Sequence, residues 1–405
     1  MGIIGSILLI LFLGDFLWWW RADRVLRRLP HPKVYRIALG IFMALQASGM
    51  LFILLDRTLD LDFPLSSSWL AVTYIWHCLF LFPMLLLWIP YSISRGIVIG
   101  VRHLLQLRAA RHPESQPDAS AITRREFARL FAAAVPAIVT LGSAAIALWQ
   151  LQRFRIRRLE ITLPQLPPAL DGLTIAHVTD IHVGQFTHGD ILDRIVTATN
   201  DLQADLVLYT GDLINFALSD LDTGLRIAKQ FQSKHGTFLC EGNHDLFSNP
   251  AEFRRRTRDA GLRLLVNEAT TIDIRGVPVQ LLGLRWGARD GDPHSLASRG
   301  DPAIERSMSE LLPLRQPGAF PILLAHHPHA FDYAKDIPLT LAGHTHGGQL
   351  MVTPHVGFGP MLYRYWSGLY HKDDRTLVVS NGTGNWFPLR TRAPAEIIHL
   401  TLRRV

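Results

Sequence analysis

Four apolar stretches, each close to the length that crosses a bilayer, lie within the first 150 of the 405 residues. A membrane-spanning helix needs about 20 predominantly apolar residues. The composition agrees, since 48% of the residues are hydrophobic and only 19% are charged. We therefore predict a transmembrane region of four helices over residues 1–150, with spans at about residues 3–20, 37–55, 69–89 and 128–149.

The loops between these stretches differ in charge. The loops after the first and third stretches are rich in arginine, whereas the loop between the second and third holds three aspartates against one arginine. Basic loops stay on the cytoplasmic side, so both termini should lie on the outer side of an inner (plasma) membrane. Residues 159–405 would then be periplasmic or extracellular. The basic residues of the segment 151–158 argue against this orientation, and we interpret them as a strand near lipid head groups.

The sequence Thr123-Arg124-Arg125-Glu126-Phe127-Ala128-Arg129 has two interpretations. It resembles a twin-arginine export signal, and the weakly hydrophobic, alanine-rich helix after it fits that interpretation, which would make the export machinery a partner. Alternatively, the threonine and the glutamate form a capping box on a helix whose arginines mark the inner face of the membrane. The motif by itself does not separate the two.

The pattern of apolar and polar residues changes from Leu159 onward. Short apolar runs of strand length alternate with amphipathic helical stretches. Asn249 followed by Pro250 predicts the start of one helix, because asparagine is a good N-cap and proline suits the first helical position. The pattern predicts an α/β domain over residues 159–405, with two sheets flanked by helices.

Polar side chains follow each of five buried strands of this domain. Ligand sites in α/β sheets lie outside the carboxyl ends of the strands, so we expect these side chains to converge. Imidazole, carboxylate and carboxamide together suit Mn, Fe or Zn, and the absence of thiolates disfavours a structural zinc site. The motifs are Asp180-Ile181-His182, Gly211-Asp212, Gly242-Asn243-His244-Asp245, His326-His327 and Gly343-His344-Thr345-His346.

The motifs in this order, followed by Ser380-Asn381-Gly382-Thr383-Gly384 and Pro388-Leu389-Arg390, resemble the calcineurin-like metallophosphoesterases. Within that family the chain looks most like the membrane-tethered bacterial phosphodiesterases, over about residue 159 to the end. The resemblance implies a four-layer α-β-β-α sandwich. It also implies an enzyme that hydrolyses phosphate esters, phosphodiesters by preference, by means of a hydroxide activated by two metal ions.

The resemblance also implies a role for each matching residue. His244 would be a catalytic residue that stabilises the developing charge or protonates the leaving group, with Asp245 orienting its ring. His327 is the nearest rival to His326 as a ligand, and motif alignment favours His326. The implied ligands are Asp180, His182 and His346 for the first ion, and Asn243, His326 and His344 for the second, with Asp212 bridging both.

Two stretches depart from the family pattern. Cys240-Glu241 stands where relatives usually have apolar residues, and Leu284-Arg285-Trp286 stands where many carry an acidic turn. We expect neither stretch to touch the metal ligands. The departures therefore concern the substrate pocket and not the class of reaction.

The aromatic and basic residues between Pro354 and Tyr370 follow the last metal motif directly. They form either a rim on the substrate side or a flap that packs on the edge of the sandwich. With the membrane region nearby, a lipid or cell-envelope phosphate is the predicted substrate.

Several other functions compete with this prediction. One is a hydrolase similar to the UDP-2,3-diacylglucosamine hydrolases of lipid A synthesis, although that reaction is cytoplasmic and conflicts with the predicted orientation. Another is a catalytically silent membrane sensor or scaffold, which has no need of an intact ligand set. A nuclease is disfavoured because the domain core has no basic stripe with stacking aromatics, so no nucleic acid partner is expected.

Overall fold

The computed structural model describes residues 3–29, 31–59, 66–106, 124–287 and 301–405. The chain forms two compact units, residues 1–148 and residues 149–405. Each unit has apolar clusters of its own.

The described part of the first unit consists of helices and the short turns next to them. Ser66 begins one of its helices as an N-cap, since its side chain accepts a hydrogen bond from the Trp69 backbone N–H. The helices are α1 (Ile3–Leu26), α2 (Pro32–Leu59), α3 (Ser67–Ile75), a π-helical segment (Trp76–Leu81), α4 (Phe82–Gln106) and α5 (Arg124–Leu151), whose last turn counts with the second unit.

Three stretches of the described helices are long and apolar enough to cross a membrane: Pro32–Leu55, Ser67–Val101 and Ala133–Leu151. The sequence predicts four spans, so the count is one fewer than predicted. The first predicted span lies in α1, where the side chains of residues 3–8 are outside the described residues. The described remainder of α1 covers only part of that span, and of its charged residues only Asp15 falls within it, so the first span stays a prediction.

The arginine pair of the twin-arginine-like motif cannot be assigned a contact. Thr123 and the side chains of Arg124, Arg125 and Glu126 lie outside the described residues. Both interpretations of the motif therefore stay predictions.

The core of the first unit contains a buried polar cluster. Asp15 Oδ2 lies 3.0 Å from His77 Nε2, and Trp76 Nε1 donates to Asp15 Oδ1 over 2.7 Å. Asp15 and His77 thus satisfy each other, which is how buried polar groups are tolerated.

The second unit contains fourteen strands in its described part and five α-helices after α5. The helices are α6 (Asp190–Asn200), α7 (Leu221–Ala228), α8 (Pro250–Asp259), α9 (Asp301–Leu311) and α10 (Phe358–Leu362). The strands are β1 (Arg155–Thr162), β2 (Thr174–Val178), β3 (Leu206–Thr210), β4 (Thr237–Cys240), β5 (Arg263–Leu264), β6 (Glu268–Ile274), β7 (Val277–Gly283), β8 (Phe320–Leu324), β9 (Leu339–Ala342), β10 (Met351–Thr353), β11 (Val356–Gly357), β12 (Gly368–Lys372), β13 (Arg375–Val379) and β14 (Glu396–Arg403).

Twelve of these strands form two six-stranded mixed sheets. The first sheet has the order β1-β14-β2-β3-β4-β5, and the second has the order β12-β13-β9-β8-β7-β6. Strands β2, β3 and β4 run parallel in the first sheet, as do β7, β8 and β9 in the second. Their carboxyl ends therefore meet at one edge of each sheet, where the polar motifs begin.

Strand β3 shows why the two sheets stack between helices. Leu206 and Leu208 pack into the core between the sheets, whereas Val207 and Tyr209 pack against the cluster that includes the outer helices. Successive side chains of a strand point to opposite faces, so a run that is apolar throughout buries both faces. Helix α9 covers the second sheet in the same way. The predicted α-β-β-α sandwich is confirmed.

Helix α8 begins where the sequence predicts. Asn249 accepts a hydrogen bond from the Glu252 backbone N–H over 3.0 Å, and Pro250 occupies the first turn. We expect Asn249→Ala to lower the free energy of unfolding by about 1 kcal/mol, because it removes this cap. Urea unfolding of the purified chain measures the change, with Asn249→Ser, which keeps an acceptor, as the control. Equal losses in the two variants would contradict the capping role.

Candidate metal centre

The predicted metal ligands all lie in loops that directly follow β2, β3, β4, β8 and β9. Five of the seven have a left-handed backbone, with φ between 48° and 71°. Each such non-glycine residue costs about 1–3 kcal/mol and persists only where its surroundings hold it, often at functional sites. The five are Asp180, His182, Asp212, His344 and His346.

A first cluster joins Asp180, His182 and His346, which are all buried. Nε2 of His182 and Nε2 of His346 are 2.9 Å apart. Oδ1 of Asp180 lies 3.2 Å from His346 Nε2 and 3.7 Å from His182 Nε2. The structure thus brings the three residues predicted for the first ion together, with their donor atoms facing one another.

A second cluster surrounds His326. Its Nε2 is 3.2 Å from Nδ1 of His344 and 3.2 Å from Oδ1 of Asn243. These are the three residues predicted for the second ion, contributed by the ends of β8, β9 and β4.

The carboxylate of Asp212 lies between the two clusters. Its Oδ2 is 3.1 Å from His326 Nε2 and 3.5 Å from His182 Nε2. Its Oδ1 accepts a hydrogen bond from the His244 backbone N–H over 2.8 Å. One side chain therefore reaches both donor sets.

The chemistry of these donors fits metal ions. Two imidazole nitrogens that each bind one ion at about 2.1 Å come to lie roughly 3 Å apart, which is the spacing of both histidine pairs. The buried carboxylates of Asp180 and Asp212 also require a positive partner. Imidazole, carboxylate and carboxamide donors suit Mn, Fe or Zn.

The electrostatics of the site favour a cation beside Asp212. Burial alone would raise the pKa of Asp212, but the charges of His326 and His244 hold it below its usual range. Burial alone would lower the pKa of His326, but the charge of Asp212 and its hydrogen bond raise it to about 9. A metal ion would supply the same positive charge.

Backbone and side-chain groups outside the clusters fix the donors. His326 Nδ1 lies 2.7 Å from the Thr210 carbonyl, which leaves Nε2 facing the other ligands. Thr179 Oγ1 donates to Asp180 Oδ2 over 2.6 Å. Such outer contacts set the orientation of metal ligands.

The structure differs from the sequence prediction at Asp245. Its two oxygens accept backbone N–H groups of Asp212, Leu213, Ile214 and Gly242, over 2.7–3.2 Å. The carboxylate therefore ties the end of β3 to the end of β4 instead of orienting the His244 ring.

The His244 ring is held by a different group. Its Nδ1 lies 2.5 Å from the carbonyl of Asn215, a residue that no sequence motif singles out. Burial lowers the pKa of His244 to about 4.

Arg390 is a second residue whose role sequence reasoning missed. It is 3% exposed, and its Nη2 lies 2.8 Å from Nδ1 of His346. The remaining guanidinium N–H groups donate to Asn385 Oδ1 and to carbonyls of Asn381, Gly384 and Ala393. The available signal was the motif Pro388-Leu389-Arg390, which contributes to the family resemblance but does not indicate what Arg390 contacts.

Aromatic rings line the clusters. The expectation that Leu284-Arg285-Trp286 stays away from the ligands is wrong, because the Trp286 ring centroid lies 5.0 Å from that of His344 and 5.4 Å from that of His326. The ring centroids of Tyr363 and His344 are 5.7 Å apart. Strand register cannot reveal these contacts, since they join loops of different strands.

The residues between Pro354 and Tyr370 combine the two predicted behaviours. Tyr363 faces the site, as a substrate rim would. Arg364 instead forms ion pairs with Asp301 and Asp332, and the Tyr365 hydroxyl donates to Asp332, as a flap packed on the sandwich edge would.

His327, the rival of His326, belongs to neither cluster of candidate ligands in the part of the chain that the structure describes. Its Nδ1 accepts a hydrogen bond from the His329 backbone N–H over 3.2 Å, so it begins a short 3₁₀ turn.

Residues 173–348, which include both clusters, match the family model described as calcineurin-like phosphoesterase. These residues therefore form a calcineurin-like phosphoesterase domain. The arrangement of donors at the strand ends agrees with that class.

Three proteins of other organisms are similar to this chain over more than half of its length. A zebrafish (Danio rerio) protein named transmembrane protein with metallophosphoesterase domain is 28% identical over 414 residues, covering 98% of this chain and 87% of that protein. An uncharacterized metallophosphoesterase of Campylobacter jejuni is 32% identical over 61% of this chain and 63% of its own length. Phosphodiesterase YaeI of Escherichia coli (strain K12) is 28% identical over 56% of this chain and 81% of its own length. The three candidate spans of this chain agree with its similarity to a relative that is named a transmembrane protein.

Proposed function

We propose that this chain hydrolyses phosphodiesters of lipids or of the cell envelope with two bound metal ions. The position of Asp212, whose Oδ2 faces a histidine of each cluster, is the observation that supports two ions rather than one. A carboxylate in that position suits a pair of ions about 3.5–4 Å apart.

The ligand sets follow from the two clusters. When bound, such ions supply Lewis-acid activation of water and of the phosphoryl group. Asp180, His182 and His346 would hold one ion, and Asn243, His326 and His344 the other, with Asp212 contacting both.

His244 is the proposed residue that transfers a proton to the leaving oxygen. The Asn215 carbonyl accepts its Nδ1 proton and burial lowers its pKa, so the neutral ring would take up a proton at Nε2 before passing one to the leaving oxygen. Its ring centroid lies 4.5 Å from that of His182, so the proton would be delivered beside the ligands.

A diester with an apolar portion fits the surroundings of the site. Trp286 and Tyr363 flank the second cluster, and the partly exposed Trp386 lies 6.3 Å from His346 between ring centroids. The preference for diesters also draws on the relative that is named a phosphodiesterase.

We further propose that the catalytic unit lies on the outer side of the membrane. The basic residues just after α5, which argue against this orientation, belong to the folded domain. Arg155 and Arg157 lie in β1 and pair with buried Glu396 at 2.7 Å and 3.6 Å. The ion pairs with Glu396 explain why these two arginines follow α5. The arginine-rich loops of the first unit therefore remain the residues that indicate the orientation in the membrane.

Metal-dependent turnover tests the proposal. The full chain in detergent is stripped with a chelator, reloaded with Mn, and assayed on bis-p-nitrophenyl phosphate, p-nitrophenyl phosphate and a UDP-linked diacyl sugar. We expect turnover to vanish on stripping, to return with Mn, and to be fastest on the diester. Preference for the UDP-linked sugar would favour the lipid A-type hydrolase. Bound metal without turnover on any ester would favour the sensor or scaffold.

A further inference from the structure

The second unit exposes an unusual concentration of apolar side chains in residues 351–362, here called the apolar hairpin. It consists of β10, β11 and α10, and its sequence contains no Asp, Glu, Lys or Arg. Val352 is 70% exposed and Met361 is 66% exposed, although both are large apolar residues. Five of the ten large apolar side chains that are exposed in the described part of residues 149–405 lie here: Val352, Val356, Phe358, Met361 and Leu362. Exposed apolar clusters on a soluble domain mark contact surfaces.

The apolar hairpin is held rigidly beside the metal centre. It begins five residues after His346 and ends directly before Tyr363, whose ring faces His344. Phe358 N donates to the Leu350 carbonyl over 3.2 Å, and Gly348 and Gly359 pack so closely that a Cβ at Gly348 would lie 2.5 Å from the Gly359 Cα. Its exposed side chains are therefore presented by an ordered support, not by a loose loop.

Hydrogen bonds connect the apolar hairpin to the end of the last membrane span. Met351 N donates to the Thr391 carbonyl over 3.1 Å, and the Thr391 hydroxyl donates to the Met351 carbonyl over 2.9 Å. The neighbouring Arg390 exchanges two backbone hydrogen bonds with the side chain of Gln150, at 2.8 Å and 3.0 Å. Gln150 lies in the last turn of α5, within the candidate span Ala133–Leu151. The hairpin is thus fixed to the segment that leaves the bilayer.

The residues around that last turn have the character of a membrane interface. Trp149 is 59% exposed, and the guanidinium of Arg153 lies 3.8 Å from its ring centroid. Arg153 and Arg392 line one groove of about 380 Å³. Exposed tryptophan and arginine at the end of a span are typical of the head-group region, and the arginines complement anionic lipid phosphates.

We propose that the apolar hairpin is a second membrane contact, which inserts into the boundary between head groups and acyl chains of the bilayer that carries the chain. The last turn of α5 brings that bilayer to the second unit, and the hydrogen bonds through Thr391 and Arg390 fix the hairpin to it. The consequence for the substrate rests on the proposed function: the metal centre then opens at the bilayer surface, and phosphodiester lipids reach it sideways from the membrane.

Fluorescence from a label on the hairpin tests the insertion. The full chain with Cys78→Ser, which removes the exposed thiol and leaves only buried Cys240, is labelled with the polarity-sensitive dye NBD at Met361→Cys. It is reconstituted in phosphatidylethanolamine and phosphatidylglycerol vesicles with brominated acyl chains. Leu314→Cys, exposed in the same unit but outside the hairpin, carries the control label. Val356→Cys replaces Met361→Cys if that variant folds poorly.

We expect blue-shifted emission at position 361 and at least about twofold stronger quenching than at position 314, because interfacial segments sink about 5–10 Å into the acyl boundary. Equal emission and quenching at the two positions would overturn the proposal. So would a blue shift that follows protein concentration instead of lipid, since a second copy of the chain would then cover the hairpin.

Turnover of bis-p-nitrophenyl phosphate by the same labelled samples separates this inference from the proposed function. An inserted label without metal-dependent turnover would remove the proposed function and leave the membrane contact standing. Turnover with a water-exposed label would support the proposed phosphodiesterase activity and contradict the proposed membrane contact.

Discussion

Asp212→Asn should lower phosphodiester turnover at least about 100-fold, because bound metal ions contribute several kcal/mol to the stabilisation of phosphoryl charge. Asparagine has nearly the same shape, and its carbonyl oxygen can still accept the hydrogen bond from the His244 backbone N–H. What it lacks is the charge that Asp212 presents to His182 and His326. We therefore expect a folded protein that has lost metal from both clusters. Steady-state rates with Mn and the metal content by mass spectrometry measure the two effects.

The matched control is Asp193→Asn. Asp193 lies in α6 with a side chain that is 66% exposed, and its contact with Arg226 is a surface ion pair at 3.4 Å. Such pairs contribute little, so its rate and metal content should equal those of the unchanged chain. An Asp212→Asn variant that keeps both metal equivalents and full turnover would remove the bridging role and the two-ion proposal with it.

Arg390→Lys should destabilise the second unit by about 3 kcal/mol, because removing one member of a buried, hydrogen-bonded charge network leaves its partners unsatisfied. A lysine is a point charge with three donors and cannot reproduce the planar fork that reaches Asn385, Gly384 and His346. The free energy of unfolding from denaturant titration measures this loss.

The same variant should also weaken metal binding by about 10–100-fold, which is the usual effect of losing a group that orients a ligand. A purely structural role would lower the amount of folded protein without changing the metal concentration at which turnover is half-maximal. Arg392→Lys is the control, since Arg392 is exposed and two residues away. If both variants showed the same metal dependence as the unchanged chain, Arg390 would hold the fold but not His346.

Much of the site could be predicted because the sequence shows where the buried strands end. Apolar runs such as Leu206–Thr210 predict buried parallel strands, and Asp212 follows that run directly. Parallel strands end at one edge, so residues that follow them meet there whatever the details of the loops. The same reasoning gave the sandwich and the N-cap at Asn249, because each depends on local spacing.

The membrane helices could be predicted for a local reason as well. Length and composition identify apolar stretches, and the candidate spans Pro32–Leu55, Ser67–Val101 and Ala133–Leu151 overlap the last three predicted ones. The first predicted span lies partly outside the described residues and stays a prediction.

The amino-acid sequence by itself determined the class of the catalytic domain, the layers of its fold and the residues of its candidate metal clusters. Only the tertiary structure decided what surrounds them: that Asn215 and not Asp245 holds His244, that Arg390 reaches His346 across 44 residues, and that Trp286 stands beside His344. These contacts join loops that are distant in the chain, and they depend on how two sheets close over one another. Local propensity and periodicity carry no information about that closure, because it is set by the packing of both sheets at once.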